Sequence, residues 1–406
     1  MGNVCAKVLK KINLKLFISV LIFYSCNQND KSDSQNNLIT KIHVDPQKPI
    51  TIKLDDFIEE IRIVPLQTTE SSILGEIYGV KKVDNNFYIN VPGRIYVFND
   101  NGNFKKTIGK PGKGPRELLA VTNFYVYPEK NLIEIYDSRL GQNIWYNLEG
   151  YYIGSIAHGF NHGYDFMKSN EGGYFFYRGF SSEKTGELIY VSNLENEKHT
   201  DLLPFNKTLS KYLHFGDLVN FVSNRHGSYF TRSFNDTIYS LNGITTTPKY
   251  LVDFGEKTLP ENLLYSDYTD VRDFMTTCLE TSYAFRIIGF FELENYIVFG
   301  FHYKKKIWNA LYNKNDKECF VISSYIDNYF KTNFEFQSGF DILPKGFNDQ
   351  SLFILIDSYK IINFIQELKE KKDQEKLDIL LNILSNYDLS AMKATDNPIL
   401  LEVKLK

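Results

Sequence analysis

An all-β chain folded as a six-bladed β-propeller, with small helical insertions in the later blades, is what this sequence predicts, and three observations carry the prediction. Aromatic residues make up 15% of 406 positions, from 32 Phe and 28 Tyr against only 2 Trp, a bias that suits pleated, half-buried strands. A strand–gap–strand–turn–strand unit recurs along the body of the chain, with its two clearest copies about 45 residues apart. Strand-like runs stand at both ends of this array, so the first and last blades can share strands and leave no open edge.

The clearest copy runs through Asn86–Asn90, Arg94–Phe98, the turn 99–102 and Phe104–Gly109. Its Asn101-Gly102 pair tolerates the positive φ of a tight hairpin. A second copy follows at Leu132–Tyr136, Asn143–Tyr146, the turn 147–150 and Tyr151–Ile156. Weaker copies lie at Gly173–Tyr177 with Leu188–Val191, at Ser228–Thr231 with Thr237–Ser240, at Asn295–Phe301 with Ile307–Tyr312, and at Ser351–Ile356. Thr51–Leu66 supplies a strand before the first blade and Pro398–Leu405 one after the last. Two stretches read as helical insertions: Pro260–Ile288, and Lys360–Leu384, which is expected to break near Lys372.

The N-terminus reads as an address. Lys7, Lys10, Lys11 and Lys15 precede the apolar run Leu16–Tyr24, then Ser25 and Cys26, the layout of a secretory signal. Spanning a bilayer takes about 20 apolar residues, so a transmembrane anchor is not expected. Ser25 before Cys26 is similar to a lipobox, which makes Cys26 the acylated residue. Residues 1–25 are thus assigned to the signal peptide, 26–49 to a lipidated flexible tether that opens on the wholly polar Asn27–Asn37, and 50–406 to the propeller. The Met1-Gly2 start lacks the Ser or Thr of a myristoylation signal, since Ala6 stands there.

The formal net charge is −3, and the leader contributes only bases. An acidic body argues against nucleic-acid binding. Only Cys278 and Cys319 lie in the body, too few for a disulfide framework.

Three segments resemble a known family: Ile63–Ile77 with its Pro65-Leu66 and Thr68-Thr69, the loop Ile108–Glu117 with Gly112-Lys113-Gly114-Pro115, and Asp396–Leu401 with Asn397-Pro398. In this order, behind a lipoprotein leader, they are similar to the six-bladed β-propeller lipoproteins of the Bacteroides group, which are distantly similar to NHL-repeat propellers. The resemblance spans about residues 50–406 and implies a fold and a cell-envelope setting, in an outer membrane facing the periplasm or the cell surface. It implies no reaction, and no catalytic residue follows from it.

Local motifs add little chemistry. Gly109–Glu117 has glycines and lysines but not the Ser/Thr or helix of a phosphate loop, so it reads as a connection between blades. His158 and His162 stand four apart in a Gly-containing segment without a third ligand; no metal and no cofactor is expected. The loop around Asp137, Arg139, Gln142 and Trp145 offers groups for planar hydrogen bonding and stacking. It is the candidate site for a glycan, a peptide or an envelope-protein partner. A binding or assembly module is therefore the expected function, with a propeller lyase or hydrolase acting at the channel mouth as the alternative.

Overall fold

The computed structural model describes residues 39–158, 163–179, 186–195, 198–204, 208–209, 220–339, 342–385 and 392–406. Cys26, the leader, and the tether up to residue 38 lie outside them. Ile39–Lys406 form one compact unit, and its strands assemble into six sheets. The fold is a six-bladed β-propeller.

The N-terminal chain lays down three strands, β1 (Thr40–His43), β2 (Ile50–Lys53) and β3 (Ile58–Pro65), before the first blade begins. Blade 1 is β4 (Gly79–Val83), β5 (Asn86–Val91), β6 (Arg94–Asn99) and β7 (Phe104–Ile108). Blade 2 is β8 (Asn123–Tyr127), β9 (Leu132–Asp137), β10 (Gln142–Asn147) and β11 (Tyr152–Ala157). Blade 3 is β12 (Asp165–Lys168), β13 (Tyr174–Tyr177), β14 (Leu188–Asn193) and β15 (Lys198–Leu203). Blade 4 is β16 (Phe221–Asn224), β17 (Gly227–Phe230), β18 (Thr237–Asn242) and β19 (Thr245–Asp253), with β1 added in parallel outside β19. Blade 5 is β20 (Ala284–Glu292), β21 (Tyr296–Tyr303), β22 (Lys306–Asn313) and β23 (Glu318–Asp327), with β2 parallel to β23 and β24 (Phe334–Gln337) antiparallel to it. Blade 6 is β25 (Gly346–Phe347), β26 (Ser351–Ile356), β27 (Ile399–Leu405) and β3.

The two clearest sequence repeats therefore correspond to the second, third and fourth strands of a blade, the weaker ones to the second and third, and the last to the second alone. The innermost strand was not read. Residues 40–49, assigned to the tether, contain β1, whose Ile42 is fully buried against blade 4. A parallel edge strand needs no hairpin to announce it, which is why no turn marks it in the sequence. The helical reading of Pro260–Ile288 is correct only in part: helices cover Glu261–Tyr265 and Val271–Glu280, but Ala284–Glu292 is β20, the inner strand of blade 5. Its run Ala-Phe-Arg-Ile-Ile-Gly-Phe-Phe is apolar on both faces, as a strand sandwiched between blades must be. The second insertion forms helices Ser358–Glu370 and Gln374–Ile383, broken where Lys372 adopts φ 56°.

The ring closes where β3 pairs antiparallel with β27 from Pro65↔Ile399 to Ile58↔Leu405. Asn397, just before β27, latches this closure. Its buried side chain donates to Gln67 O and Ser72 O at 2.8 Å each and accepts from Leu74 N at 2.8 Å, while its backbone N–H donates to Thr68 Oγ1 at 2.8 Å. A charged network backs it: Glu402 meets Arg62 at 2.7 Å and Lys82 at 2.9 Å, and both cations also reach Asp100.

Candidate ligand cavity

Because strands alternate in direction, each blade opens its first and third hairpins on one face of the ring. Its second hairpin and the crossover to the next blade open on the other. The long connections 109–122, 254–283, 328–345 and 357–398 all belong to that second face. This is the face where the chain has material to build a site.

Five junctions between blades are filled by apolar clusters. Val64, Phe353 and Leu400 meet Phe87 and Phe98 between blades 6 and 1. Tyr88 and Val97 meet Phe124 and Ile135 between blades 1 and 2. Tyr136, Phe166 and Phe176 join blades 2 and 3, Tyr177 and Phe230 join blades 3 and 4, and Ile238 and Tyr250 meet Ile297 and Phe299 between blades 4 and 5.

Between blades 5 and 6, Phe291 meets Phe347 at 5.3 Å between ring centroids and Leu352 and Leu405 pack against blade 5, and beside these contacts lies a cavity of about 590 Å³. The pleat of blade 6 builds one wall. Ile61, Val403 and Leu352 stand side by side across three strands, and Ile63, Leu401 and Ile354 form the next row. These positions alternate with Arg62, Val64, Phe353, Leu400 and Glu402, which face blade 1. The facing wall is Val298, Leu311, Ile322 and Tyr325 of blade 5, with Ile52 of β2 beside them. The helical pair forms the cover through Ile361, Phe364, Leu380 and Ile383. Leu368 and Leu377 pin that cover to Phe334 of β24, whose ring meets Phe364 edge-on at 4.3 Å between centroids.

Polar groups on these walls are turned to structural use. Asn309 Oδ1 accepts from Ser338 Oγ at 2.8 Å and Gly339 N at 2.9 Å. Asp327 accepts from Phe330 N at 2.9 Å and from Thr332 Oγ1. Glu335 and Gln337 are exposed, and Lys360 lies 3.6 Å from Asp357.

The loop singled out in the sequence is built differently from a receptor site. Asp137 is fully buried, and its carboxylate accepts four backbone N–H groups, from Leu119, Ala120, Arg139 and Leu140, at 2.7–3.0 Å. It shapes the hairpin rather than presenting itself. Arg139 is exposed and Gln142 half-buried, with Gln142 paired opposite Asp137. Trp145 lies three residues further along β10, hence on the opposite face of the sheet. There it packs against the cluster between blades 2 and 3. The structure thus gathers Asp137, Arg139 and Gln142 at one hairpin and separates Trp145 from them.

His158 Nε2 lies 2.8 Å from Asn143 Oδ1, and Asn143 donates to Glu134 at 2.8 Å; His162 lies outside the described residues. No group of three His, Cys, Asp or Glu side chains arranged to hold a metal occurs among the described residues. In the Gly109–Glu117 loop, Glu117 binds Lys110 at 2.8 Å and Gly114 N at 2.9 Å, closing the loop on itself.

A polar chain links the innermost strands of neighbouring blades instead. Lys81 donates to Asn123 Oδ1 at 2.8 Å and Phe124 O at 2.5 Å, Asn123 donates to Asp165 at 3.1 Å, and Asn220 N donates to the other Asp165 oxygen at 3.2 Å. These contacts step from blade 1 to blade 4. Burial pulls Lys81 down to about 8 and pushes Asp165 up to about 6.

The sequence signal for the cavity lay in three places: alternating Ile and Leu in β3, β26 and β27, the amphipathic run 360–384, and the aromatic Phe334 and Phe336. Nothing in the sequence says that these segments meet.

Residues 39–404 match the family described as a domain of unknown function (DUF4934), and the chain belongs to it. None of the curated proteins matches the chain. Among solved structures, a Bacteroides fragilis protein inferred to be exported is similar over 90% of this chain and 100% of its own, with TM-score 0.68 and 18% identity. A member of the DUF4221 family from Bacteroides vulgatus is similar over 86% of this chain and 97% of its own, with TM-score 0.50 and 12% identity. At these identities the likeness concerns the fold alone. No helix among the described residues is long and apolar enough to cross a membrane.

Proposed function

We propose that this protein is an exported, lipid-anchored binding module of the cell envelope, held at Cys26, and that it takes up an apolar ligand between blades 5 and 6. One observation carries the ligand seat: beside the apolar contacts that join blades 5 and 6 lies a cavity of about 590 Å³. That size falls in the range of small-molecule sites, ~300–1,000 Å³. An empty space of this kind forfeits packing in the free protein, since cavities cost stability in proportion to their volume. A ligand that fills it recovers those contacts. The leader supports export, and Cys26 supports the anchor; the mass of the mature N-terminus reads whether that cysteine carries acyl groups.

The test of the seat is a titration of residues 39–406 with a fluorescent arylnaphthylamine probe that brightens in apolar surroundings. Saturable binding is expected in the parent, and its loss in an Ile354→Trp variant whose indole occupies the cavity. Probe binding that survives this substitution undiminished sinks the reading.

A further inference from the structure

The chain enters the ring through β1, and the direction of that strand singles out one face. β1 lies parallel to β19, with Thr40 opposite Tyr250 and His43 opposite Asp253. β19 itself leaves the 242–245 hairpin at Thr245, so a chain traced backwards from Thr40 heads along the rim of blade 4 towards that hairpin. This is the third hairpin of blade 4, on the face opposite the long connections. Gly243 at its tip lies against the carboxylate of Glu171 in the first hairpin of blade 3, so both hairpins open on one side.

The same side carries the three most exposed large apolar side chains among the described residues: Tyr151 at 72%, Ile153 at 57% and Ile244 at 57%. Ile244 belongs to the 242–245 hairpin and Tyr151 to the third hairpin of blade 2. Ile153 follows at the bulge of β11. Around Tyr151 the tips of blade 2 hold Glu129, Lys130 and Glu149, charges of both signs, so what they offer a partner is aromatic and aliphatic area. Tyrosine suits a membrane boundary, with its ring in the apolar layer and its hydroxyl in water.

Scattered exposed apolar residues are ordinary, and the opposite face shows Ile73, Tyr265, Phe336, Tyr359 and Leu381. Exposure alone therefore does not choose between the faces; the entry of the chain does. Cys26 stands fourteen residues before Thr40, a reach of at most about 50 Å. An acyl anchor there makes any second contact with the bilayer intramolecular, at an effective concentration of the order of millimolar. Side chains too few to hold a free domain on a membrane can then seat a tethered one.

Resting on acylated Cys26, we propose that the ring lies against the lipid surface through the face of its first and third hairpins, with Tyr151, Ile153 and Ile244 at the boundary between headgroups and acyl chains. The long connections then point away from the membrane.

The experiment uses the matured full-length protein on phosphatidylcholine vesicles made with or without brominated acyl chains, which quench indole fluorescence. One tryptophan at a time is added to the native Trp145 and Trp308. Tyr151→Trp and Ile244→Trp should each lose about half of the added emission, as side chains at that boundary do. Tyr359→Trp, on the opposite face, should lose none. Any other pattern of quenching in vesicle-bound protein overturns this seating and leaves the anchor standing. Protein that fails to float with the vesicles overturns the anchor and the seating with it.

Discussion

Asn397 shows how a short sequence motif becomes mechanics. Replacing it with alanine leaves Ser72 O and Leu74 N without their partner, while Gln67 O keeps the bond from Ser72 Oγ at 2.8 Å. Each stranded group costs about 1–3 kcal/mol in the usual range, partly relieved by relaxation, so Asn397→Ala should lower stability by about 2–4 kcal/mol in urea unfolding. The Lys81–Asn123–Asp165 chain makes a second residue-level statement. With its folded pKa raised from 3.8 to about 6, Asp165 binds its proton more tightly in the folded state. Its contribution therefore grows as pH falls through 6 toward 3.8, by roughly 3 kcal/mol, and is lost as pH rises again. Asp165→Asn should abolish that acid-side gain, and it should lower the Lys81 pKa below about 8, because the Asp165 charge is what opposes burial there. Titration of the Lys81 side chain by NMR reads the shift; an unmoved pKa refutes the coupling. Residue roles were the least legible part of the sequence. Asp137 reads from the sequence as a ligand-binding residue, and composition cannot reveal that four backbone N–H groups fold back onto it.

Strands at blade centres and edges were legible wherever a hairpin punctuated them. The innermost ones were not: β4 reads Gly-Val-Lys-Lys-Val and β12 Asp-Phe-Met-Lys, short runs in which polar residues reach across to neighbouring blades and break the expected pattern. β20 failed for the opposite reason, being apolar on both faces and so ambiguous between strand and helix. The break in the second helical insertion was legible because charged residues crowd the turn at Lys371–Asp373. The cavity was not, since its walls come from segments up to 350 positions apart that only the closed ring brings together. The helical pair covers the cavity without belonging to the ring's hydrogen-bonded sheets. Replacing residues 359–392 with a short turn should therefore leave strand circular dichroism intact, while apolar-probe binding falls at least tenfold. Wholesale loss of β signal would show instead that the pair is part of the scaffold.

At the scale of the molecule, closure was the most legible feature, because a chain that begins and ends in strand-like runs must satisfy both edges somewhere. The structure places β27 between β26 and β3, so the last residues are an interior strand of blade 6. Deleting Ile399–Lys406 removes the partner of both neighbours at once and exposes two strand edges. The truncated protein should aggregate, as read by light scattering and size exclusion. If it stays monomeric with an unchanged melting temperature, the ring does not depend on this strand.

The belt formed by β1, β2 and β3 also sets a timetable. A chain delivered N-terminus first presents these strands long before blades 4, 5 and 6, their respective docking edges, have arrived. They must wait, unpaired, through the passage of nearly the whole polypeptide. The last stretch to arrive completes the fold and releases the first from that wait, so assembly of this protein has no useful halfway point.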